Sequence, residues 1–447
     1  MSAGTPFHDL ADFVALPRVT ALRLAPDGTW LAAAVQTLSA DKKKYLTSIW
    51  RVDAQGGPAR RLTRSAEGED GPRFLPDGSL LFTSRRADPA GTKKDPDSGD
   101  VAALWLLPAA GGEARVVAAL PGGVTAAEVA RDAGAIVVGA PVLPASGNAD
   151  TAADDNRLRQ ERKDAGITAI LHESAPVRFW DHDLGPDQPR LFAVDPDQVL
   201  QTEIGWAGGD KEPALADDTG SEATERAAHP SRLRDLTPEP GRALDGQAFE
   251  LTPDGASVVT GWWQWDPAGE SHCELVTIDV ASGKRRVLLS APECDFGTPR
   301  VSPDGRFIAC LRERHATSSR PIDLTVVLLD AAADASGPGR DLLAGWDRWP
   351  HELAWAHDSS ALYLTADDGG RCPVFRIDAG TGEVTRVTAD DGAYTDLNPA
   401  PDGRSPWSGR CAPGWAASPP RPAARTGTGR PGRGSGRCTR RRRRSPG

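Results

Sequence analysis

The sequence repeats a tripeptide, Pro-Asp-Gly, that specifies a tight turn at regular intervals along most of its 447 residues. Proline presets the φ angle of the first turn position, aspartate bonds to the backbone that follows it, and glycine accepts a positive φ. Two further segments, 130–134 and 355–359, are degenerate copies, and successive copies lie roughly 45 to 55 residues apart except for one gap of roughly 120. The five intact copies begin at Pro26, Pro76, Pro253, Pro303 and Pro401.

Apolar or alternating stretches typical of strands follow these turns, for example at 30–35, 257–261 and 307–311. In the clearest unit a third strand at 48–53 precedes a second glycine turn and a fourth strand at 59–63. Four antiparallel strands in a unit of this length match one propeller blade, whereas a solenoid has shorter repeats and a sandwich does not repeat one turn signature. The sequence therefore predicts an all-β fold, a β-propeller of four-stranded blades.

About seven blades are expected, six of them complete and the seventh truncated. An N-terminal lead-in at 1–18 precedes a propeller at 19–403. A ring is ordinarily closed when its last blade pairs with the N-terminal strand, so a short seventh blade predicts an open ring, lower stability and a tendency to aggregate. The predicted blades are 19–63, 70–120, 124–238, 244–290, 296–343, 347–388 and a partial 393–403.

The third unit contains the long gap, which we assign to insertions at 145–175 and 207–230. Residues 154–163 predict a short charged helix, with acidic residues first and basic residues last, an order that the helix dipole favours. The second insertion is rich in Gly, Asp, Glu and Ala, a composition that predicts a mobile loop.

Charge divides the chain into an acidic body and a basic tail. Residues 404–447 hold 12 Arg and no Lys, Asp or Glu, whereas the first 403 residues hold 40 basic and 62 acidic residues. A body this acidic does not favour nucleic acid as a partner. The tail also lacks Leu, Ile, Val, Phe and Tyr, so it predicts a disordered segment without a core.

The tail begins abruptly after the turn at 401–403, and three interpretations of it stay open. Gly, Pro, Ala and Arg are the residues of GC-rich codons, so a reading-frame shift near the codon for Arg404 would produce such a tail. The run 440–444 would instead suit a basic arm that binds nucleic acid or a membrane surface. An ordinary disordered tail is the third interpretation. We favour the frame shift.

Cysteine usage and the N-terminus bear on location. No stretch of 18 or more consecutive apolar residues is present, so no membrane-spanning helix is expected. Residues 1–16 have neither a basic start nor an apolar core, so no secretory signal is expected. The six cysteines are widely spaced, and no pair has the Cys-x-x-Cys spacing of a zinc or redox site. We therefore expect reduced thiols in a cytoplasmic protein without a cofactor or a metal.

Several motifs resemble functional sites, but each has a simpler structural interpretation. His351 and His357 are six residues apart, whereas a zincin pair needs a spacing of four on a helix. A polar cluster at 172–173 and 180–183 fits loop hydrogen bonding better than ligand contact. The aromatic group at 262–265 fits blade core better than a channel lining. The tripeptide at 295–297 and the glycines at 427–432 match kinase and dinucleotide motifs by chance, and the lysines at 42–44 suit a solvated hairpin.

No serine in the chain has glycine at both flanking second positions, as the Gly-x-Ser-x-Gly nucleophile turn of an α/β-hydrolase requires. Strands and helices do not alternate as a hydrolase sheet would need either. We therefore assign no catalytic, cofactor-binding or metal-binding residue, and substrate-binding residues stay unassigned.

The order of these features resembles the N-terminal propeller of the prolyl oligopeptidase family, in particular its bacterial acylaminoacyl-peptidase and dipeptidyl-aminopeptidase-like members. The resemblance covers about residues 7–403. It rests on the Pro-Asp-Gly blades and on four segments: 7–10 (FHDL), 16–19 (LPRV), 161–173 (ERKDAGITAILHE) and 178–185 (RFWDHDLG).

The resemblance implies a propeller that covers a serine-peptidase active site and restricts access to short peptides. Members of the family continue into an α/β-hydrolase domain with Ser, Asp and His, and no such segment follows here. We expect a serine-peptidase parent and no activity from this chain alone. The alternative is a stand-alone binding propeller of the Tol type, and a scaffold of the Trp-Asp repeat type is a third possibility. Peptide specificity and oligomeric state stay open.

Overall fold

The computed structural model describes residues 9–87, 101–147, 150–172, 176–179, 182–195, 233–267, 269–332, 337–401, 408–412 and 415–416. One compact unit spans Met1–Ala417, and a second unit, Ser418–Gly447, lies outside the described residues. Within the described part of the chain, no helix is long and apolar enough to span a bilayer.

Seven antiparallel blade sheets follow one another along the described chain, in addition to one two-stranded ribbon, and six of the seven have four strands. This confirms the prediction of an all-β propeller with six complete blades. Blade 1 contains β1 (Arg18–Leu24), β2 (Trp30–Leu38), β3 (Tyr45–Asp53) and β4 (Arg60–Arg61); blade 2 contains β5 (Glu69–Phe74), β6 (Leu80–Ser84), β7 (Ala103–Leu107) and β8 (Arg115–Ala118). Blade 3 contains β9 (Ala126–Val129), β10 (Ile136–Val142), β13 (Gln188–Val194) and β14 (Leu233–Asp235).

The second half of the ring repeats the pattern. Blade 4 contains β15 (Phe249–Leu251), β16 (Ser257–Trp265), β17 (Ser271–Asp279) and β18 (Arg285–Leu289); blade 5 contains β19 (Cys294–Val301), β20 (Phe307–Arg314), β21 (Asp323–Asp330) and β22 (Arg340–Asp341). Blade 6 contains β23 (Pro350–Trp355), β24 (Ala361–Ala366), β25 (Val374–Asp378) and β26 (Val384–Arg386). Outside the blades lie helices α1 (Leu10–Ala15) and α2 (Thr151–Asp164) and a small ribbon, β11 (Arg178–Phe179) with β12 (His182–Asp183).

Blade 7 has three strands, β27 (Ala393–Asn398), β28 (Ser408–Ala412) and β29 (Trp415–Ala416). The last two come from the segment 404–447, which we predicted to be disordered, so short paired strands occur within it at these residues. β28 adds to β27 through main-chain hydrogen bonds, which do not require apolar side chains. The predicted loop at 207–230 lies outside the described residues.

The turns of the repeat adopt the predicted chemistry. Gly28, Gly78, Gly255 and Gly305 have φ angles between 70° and 85°. In each turn the aspartate before the glycine accepts a hydrogen bond from the backbone N–H two residues further on, at 2.8–3.1 Å. Ser359 takes the glycine position in the degenerate sixth copy, with a φ of 61°. Each turn joins the first two strands of a blade, so all of these turns lie on one face of the ring, which we call the turn face.

The innermost strands form a closed circle. Each contacts the next in order, β1 with β5 and so on to β23 with β27, and β27 in turn contacts β1. Among the described residues no strand of blade 7 pairs with β1, so the strand pairing that ordinarily closes a ring is absent, as we expected, although β27 and β1 are in contact. Closure does not use strand exchange, because β1 stays in blade 1. Instead the Asn398 side chain accepts a hydrogen bond from Leu24 N (3.1 Å) and donates one to the Leu22 carbonyl (3.3 Å).

Candidate functional site

Charged side chains of the innermost strands converge on the axis of the ring. Electrostatic interactions couple Arg23 of blade 1 to charges of blades 2, 3, 5 and 7, which only a position near the axis allows. We call this set the channel cluster. It comprises three arginines and four carboxylates: Arg23, Arg73, Arg300, Glu128, Glu250, Glu352 and Asp396.

Arg73 and Glu128 form the shortest ion pair of the channel cluster. Arg73 Nε and Nη2 donate to the two oxygens of Glu128 at 2.9 and 2.6 Å, a bidentate geometry. Burial lowers the pKa of Arg73, but the Glu128 carboxylate, with smaller contributions from Asp396 and Glu250, outweighs burial and the pKa is raised. The pair joins blade 2 to blade 3 and fixes one positive and one negative charge beside the axis.

Arg23 lies in a different environment. Its Nη1 is 3.7 Å from the Asp396 carboxylate and donates to the Leu22 carbonyl at 2.7 Å. Burial and the nearby Arg73 guanidinium lower its pKa. Because it has the longer ion pair of the two, Arg23 is the channel cation better placed to exchange its partner for an incoming anion.

Glu250 is the channel carboxylate with the largest change in acidity. Burial, and to a lesser degree the Glu128 carboxylate, raise its pKa to about 7, although Arg300 and the N–H of Val301 oppose the shift. That N–H donates to Glu250 Oε2 at 2.8 Å. The group therefore changes charge near neutral pH, and with it the net charge of the channel cluster.

Glu352 and Arg300 link blades through backbone groups. Glu352 accepts hydrogen bonds from Asp396 N at 2.7 Å and Leu397 N at 2.9 Å, across the border between blades 6 and 7. Burial raises its pKa, and the Asp396 carboxylate adds to the effect. Arg300 Nε donates to the Leu353 carbonyl at 2.9 Å. These side chains both hold the ring together and make its axis polar.

The second feature is the face opposite the turns, where the second strand of each blade connects to the third. We call it the insertion face, because the segment between β10 and β13 carries α2 and the ribbon there. Nine large apolar side chains of the described residues are exposed, and every one lies on α1, in the insertion, or at a strand end on this face. They are Leu10, Phe13, Tyr45, Val101, Ile167, Ile170, Leu171, Val177 and Trp349.

Helix α2, which confirms the predicted charged helix, is anchored to blade 3 by a buried carboxylate. Asp155 is 1% exposed and accepts hydrogen bonds from Leu143 N (2.9 Å), Ser146 Oγ (3.3 Å) and Arg159 Nε (2.8 Å). Arg159 also donates to the Pro141 carbonyl at 3.2 Å and to Asp187. The helix thus holds the apolar segment that follows it in a defined place on the insertion face.

The motifs that resemble functional sites in the sequence occupy core, hairpin and strand positions in the structure. Trp262 lies in the core between blades 3 and 4, which confirms its structural interpretation. The lysines 42–44 lie in the hairpin between β2 and β3, as predicted, and 295–297 lie in β19. His351 is the second residue of β23, at the insertion face, whereas His357 follows the strand on the turn face and contacts Arg131 Nη2 at 2.7 Å.

The polar cluster at 172–173 and 180–183 is described only in part, through an ion pair of 3.6 Å between Arg178 and Asp183. Glu173, Trp180 and Asp181 lie outside the described residues, as do the glycines at 427–432. The sequence analysis does not identify the channel cluster. A recurring charged position would have indicated it, because a charged residue stands three positions before the proline of four turns: Arg23, Arg73, Glu250 and Arg300.

No protein-family model matches the chain. It is 32% identical over 115 residues to the uncharacterized peptidase YuxL of Bacillus subtilis, which covers 26% of this chain and 16% of that protein. It is 30% identical over 102 residues to the probable dipeptidyl-peptidase 5 of Arthroderma benhamiae, which covers 22% and 14%. The matched region is thus about a sixth of these relatives' length.

Solved structures match over a longer range. An acylaminoacyl peptidase in complex with a chloromethyl ketone aligns with a TM-score of 0.57 at 13% identity, over 87% of this chain and 49% of the peptidase. The fold is that of the acylaminoacyl-peptidase propeller. The propeller domain of the trilobed protease from Pyrococcus furiosus, described as having an open velcro topology, aligns with a TM-score of 0.52 at 10% identity, over 86% of this chain and 88% of that one. An oligogalacturonate lyase in complex with manganese also has a TM-score of 0.52, at 13% identity, so the propeller fold alone does not select a reaction.

Proposed function

We propose that this chain is the propeller of a prolyl oligopeptidase-like serine peptidase, and that in the parent enzyme it admits short peptides to a hydrolase active site. One observation carries the proposal: the chain aligns over 87% of its own length with an acylaminoacyl peptidase of which it spans only 49%. The partial sequence matches to peptidases support the same assignment. The catalytic domain would be the part that this chain does not contain.

The exposed side chains of the insertion face are evidence that this face packs against a second domain in the parent enzyme. Exposed apolar side chains confined to one face of a soluble protein are typical of an interaction surface. Helix α1 enters the propeller on this face, and the fourth strand of a blade runs back toward it, so a domain that follows blade 7 would emerge there. We propose that Leu171, which is 84% exposed, packs against such a domain in the parent enzyme.

The channel cluster supports peptide passage rather than chemistry. Arginine and carboxylate side chains in one partly desolvated channel can bind the two charged ends of a short peptide. The described cluster contains no nucleophile with an adjacent base. We therefore assign selection of peptides to the channel cluster and hydrolysis to the hydrolase domain of the parent enzyme, with no nucleic-acid or membrane partner.

Cysteine chemistry supports a reducing, cytoplasmic location. Cys273, Cys294 and Cys310 are free and buried. Burial raises the pKa of Cys273 and of Cys310 to about 12, so neither thiol ionises readily. We further propose that a frame shift near Arg404 separates the propeller from its hydrolase, although β28 and β29 lie beyond that point.

A hydrolysis assay with two proteins tests the function. The purified chain is compared with the product of the same gene after the reading frame is restored beyond Gly403, using acylaminoacyl and dipeptidyl chromogenic substrates and a fluorophosphonate that labels active serines. We expect cleavage and labelling in the restored product only. Cleavage by the purified chain, or a restored product that is neither labelled nor active, would overturn the proposal.

A further inference from the structure

Three side chains of different chemistry meet at the border of blades 6 and 7 on the insertion face. His351 is the second residue of β23, and Asp367 and Cys372 lie in the turn between β24 and β25. One ligand atom from each, the imidazole nitrogen, a carboxylate oxygen and the thiol sulfur, lie within 4.8 Å of one another. His351 Nε2 and Asp367 Oδ2 are 3.3 Å apart.

These distances match a coordination sphere. In a tetrahedral site with bonds of about 2.0–2.3 Å, two ligand atoms lie about 3.3–3.6 Å apart. The histidine and aspartate atoms already have this separation, and the Cys372 sulfur lies within 4.8 Å of both. A thiolate with an imidazole and a carboxylate selects zinc or a similar transition metal over magnesium or calcium, which prefer oxygen ligands alone.

Backbone hydrogen bonds order the turn that carries Asp367 and Cys372, while the side chains of His351 and Asp367 are 48% and 78% exposed and so accessible to an ion from solvent. Asp368 and Arg371 exchange hydrogen bonds of 2.8 and 3.1 Å across the turn. Blade 7 fixes the main chain of Cys372, because Tyr394 N donates to the Cys372 carbonyl at 2.9 Å. The neighbouring carboxylate is engaged elsewhere, since Asp368 accepts from Arg348 at 3.0 Å and from Arg386 at 3.3 Å.

We infer that His351, Asp367 and Cys372 bind a Zn²⁺-class transition-metal ion, with one coordination position left for water. On binding, the Cys372 thiol releases its proton to solvent and the sulfur coordinates as thiolate. The ion joins the start of β23 to the β24–β25 turn at the border with blade 7. His351 therefore has partners across a hairpin rather than along its own strand.

Cobalt spectroscopy on the full-length, metal-free protein tests the site. We expect one equivalent of Co²⁺ to give the sulfur-to-cobalt charge-transfer band and the intense d–d bands of a tetrahedral complex. The band disappears in C372A, and H351A weakens Co²⁺ binding by more than about 100-fold, beyond the usual loss of an outer partner. The matched control H357A, a histidine in the turn that follows the same strand, binds like the unsubstituted protein.

Cys411 and Cys438 are further thiols, so the variants rather than the band alone assign the site. Thermal unfolding gives a second readout: Zn²⁺ raises the Tm of the unsubstituted protein and of H357A, and leaves C372A and H351A unchanged. The absence of a charge-transfer band in the unsubstituted protein, or its persistence in C372A, would overturn the inference. Because hydrolysis plays no part in this test, it fails or succeeds independently of the proposed function.

Discussion

Replacement of Asn398 by alanine tests how the ring is closed. Its side chain forms three hydrogen bonds: with Leu24 N (3.1 Å) and the Leu22 carbonyl (3.3 Å) of blade 1, and with the Asp396 carbonyl (2.8 Å) of its own strand. The substitution leaves Leu24 N without its side-chain acceptor, at a cost of about 1–1.5 kcal/mol in this partly buried position. The Leu22 carbonyl keeps its hydrogen bond from Arg23, so the loss of each of the two bonds that Asn398 donates costs only about 0.5 kcal/mol. We therefore expect the free energy of unfolding to fall by about 2–2.5 kcal/mol.

The loss of unfolding free energy can be measured as a fall in Tm by calorimetry or circular dichroism. Unfolding entropy is about 2.1 cal/mol/K per residue, so for a propeller of roughly 400 residues that melts as one unit the Tm falls by about 3 °C. Replacement of Asn156, an exposed residue of α2, by alanine is the matched control and should leave the Tm nearly unchanged. If Asn398→Ala melts with the unsubstituted protein, or if both variants shift alike, closure through this side chain is refuted.

Three further perturbations test other parts of the structure. Glu250 has a folded pKa of about 7, above its unfolded value, so the folded state retains the proton and the free energy of unfolding falls as pH rises from about 4.5 to 7. Glu250→Gln should therefore unfold at a higher urea concentration than the unsubstituted protein at pH 8 and lose this advantage at pH 4.5. A difference that does not depend on pH would contradict the assignment. Asp155→Ala should lower stability by about 2–4 kcal/mol and speed proteolysis within α2, whereas the exposed Asp164→Ala should do neither. Gly28→Ala places a Cβ 2.8 Å from the Pro401 side chain of blade 7, at a φ of 70°. Its Tm should fall further than that of Gly241→Ala, because Gly241 has a similar φ of 60° but no atom within 4 Å of the added Cβ. Equal shifts would argue against the contact between blades 7 and 1.

Local chemistry made part of this fold predictable. The Pro-Asp-Gly turns, the strands that follow them and the charged helix of the insertion each depend on residues close in sequence, and each appears in the structure. Ser359 illustrates the limit of a strict motif, because it takes the left-handed position that glycine occupies in the intact copies. Several residues together determine the turn conformation, so a copy that lacks proline and glycine can still adopt it.

Features that depend on distant residues were not predictable. Asn398 bonds to a strand 374 residues earlier in the chain, and no local pattern indicates that contact. The channel cluster forms only when one residue from each of several blades reaches the axis. The sequence suggests His357 as a metal partner for His351 and their spacing rejects it, and in the structure the strand β23 separates the two histidines, one at each face of the ring. Asp367 and Cys372 become neighbours of His351 only through hairpin pairing.

The most direct test of the peptidase assignment is to sequence the gene across the codons for Gly403 and Arg404 and to read onward in all three frames. We predict that one inserted or deleted base restores a longer seventh blade and then a hydrolase segment containing Gly-x-Ser-x-Gly. A confirmed frame with no such segment in any reading would contradict the assignment, and a binding propeller with a genuine basic tail would take its place.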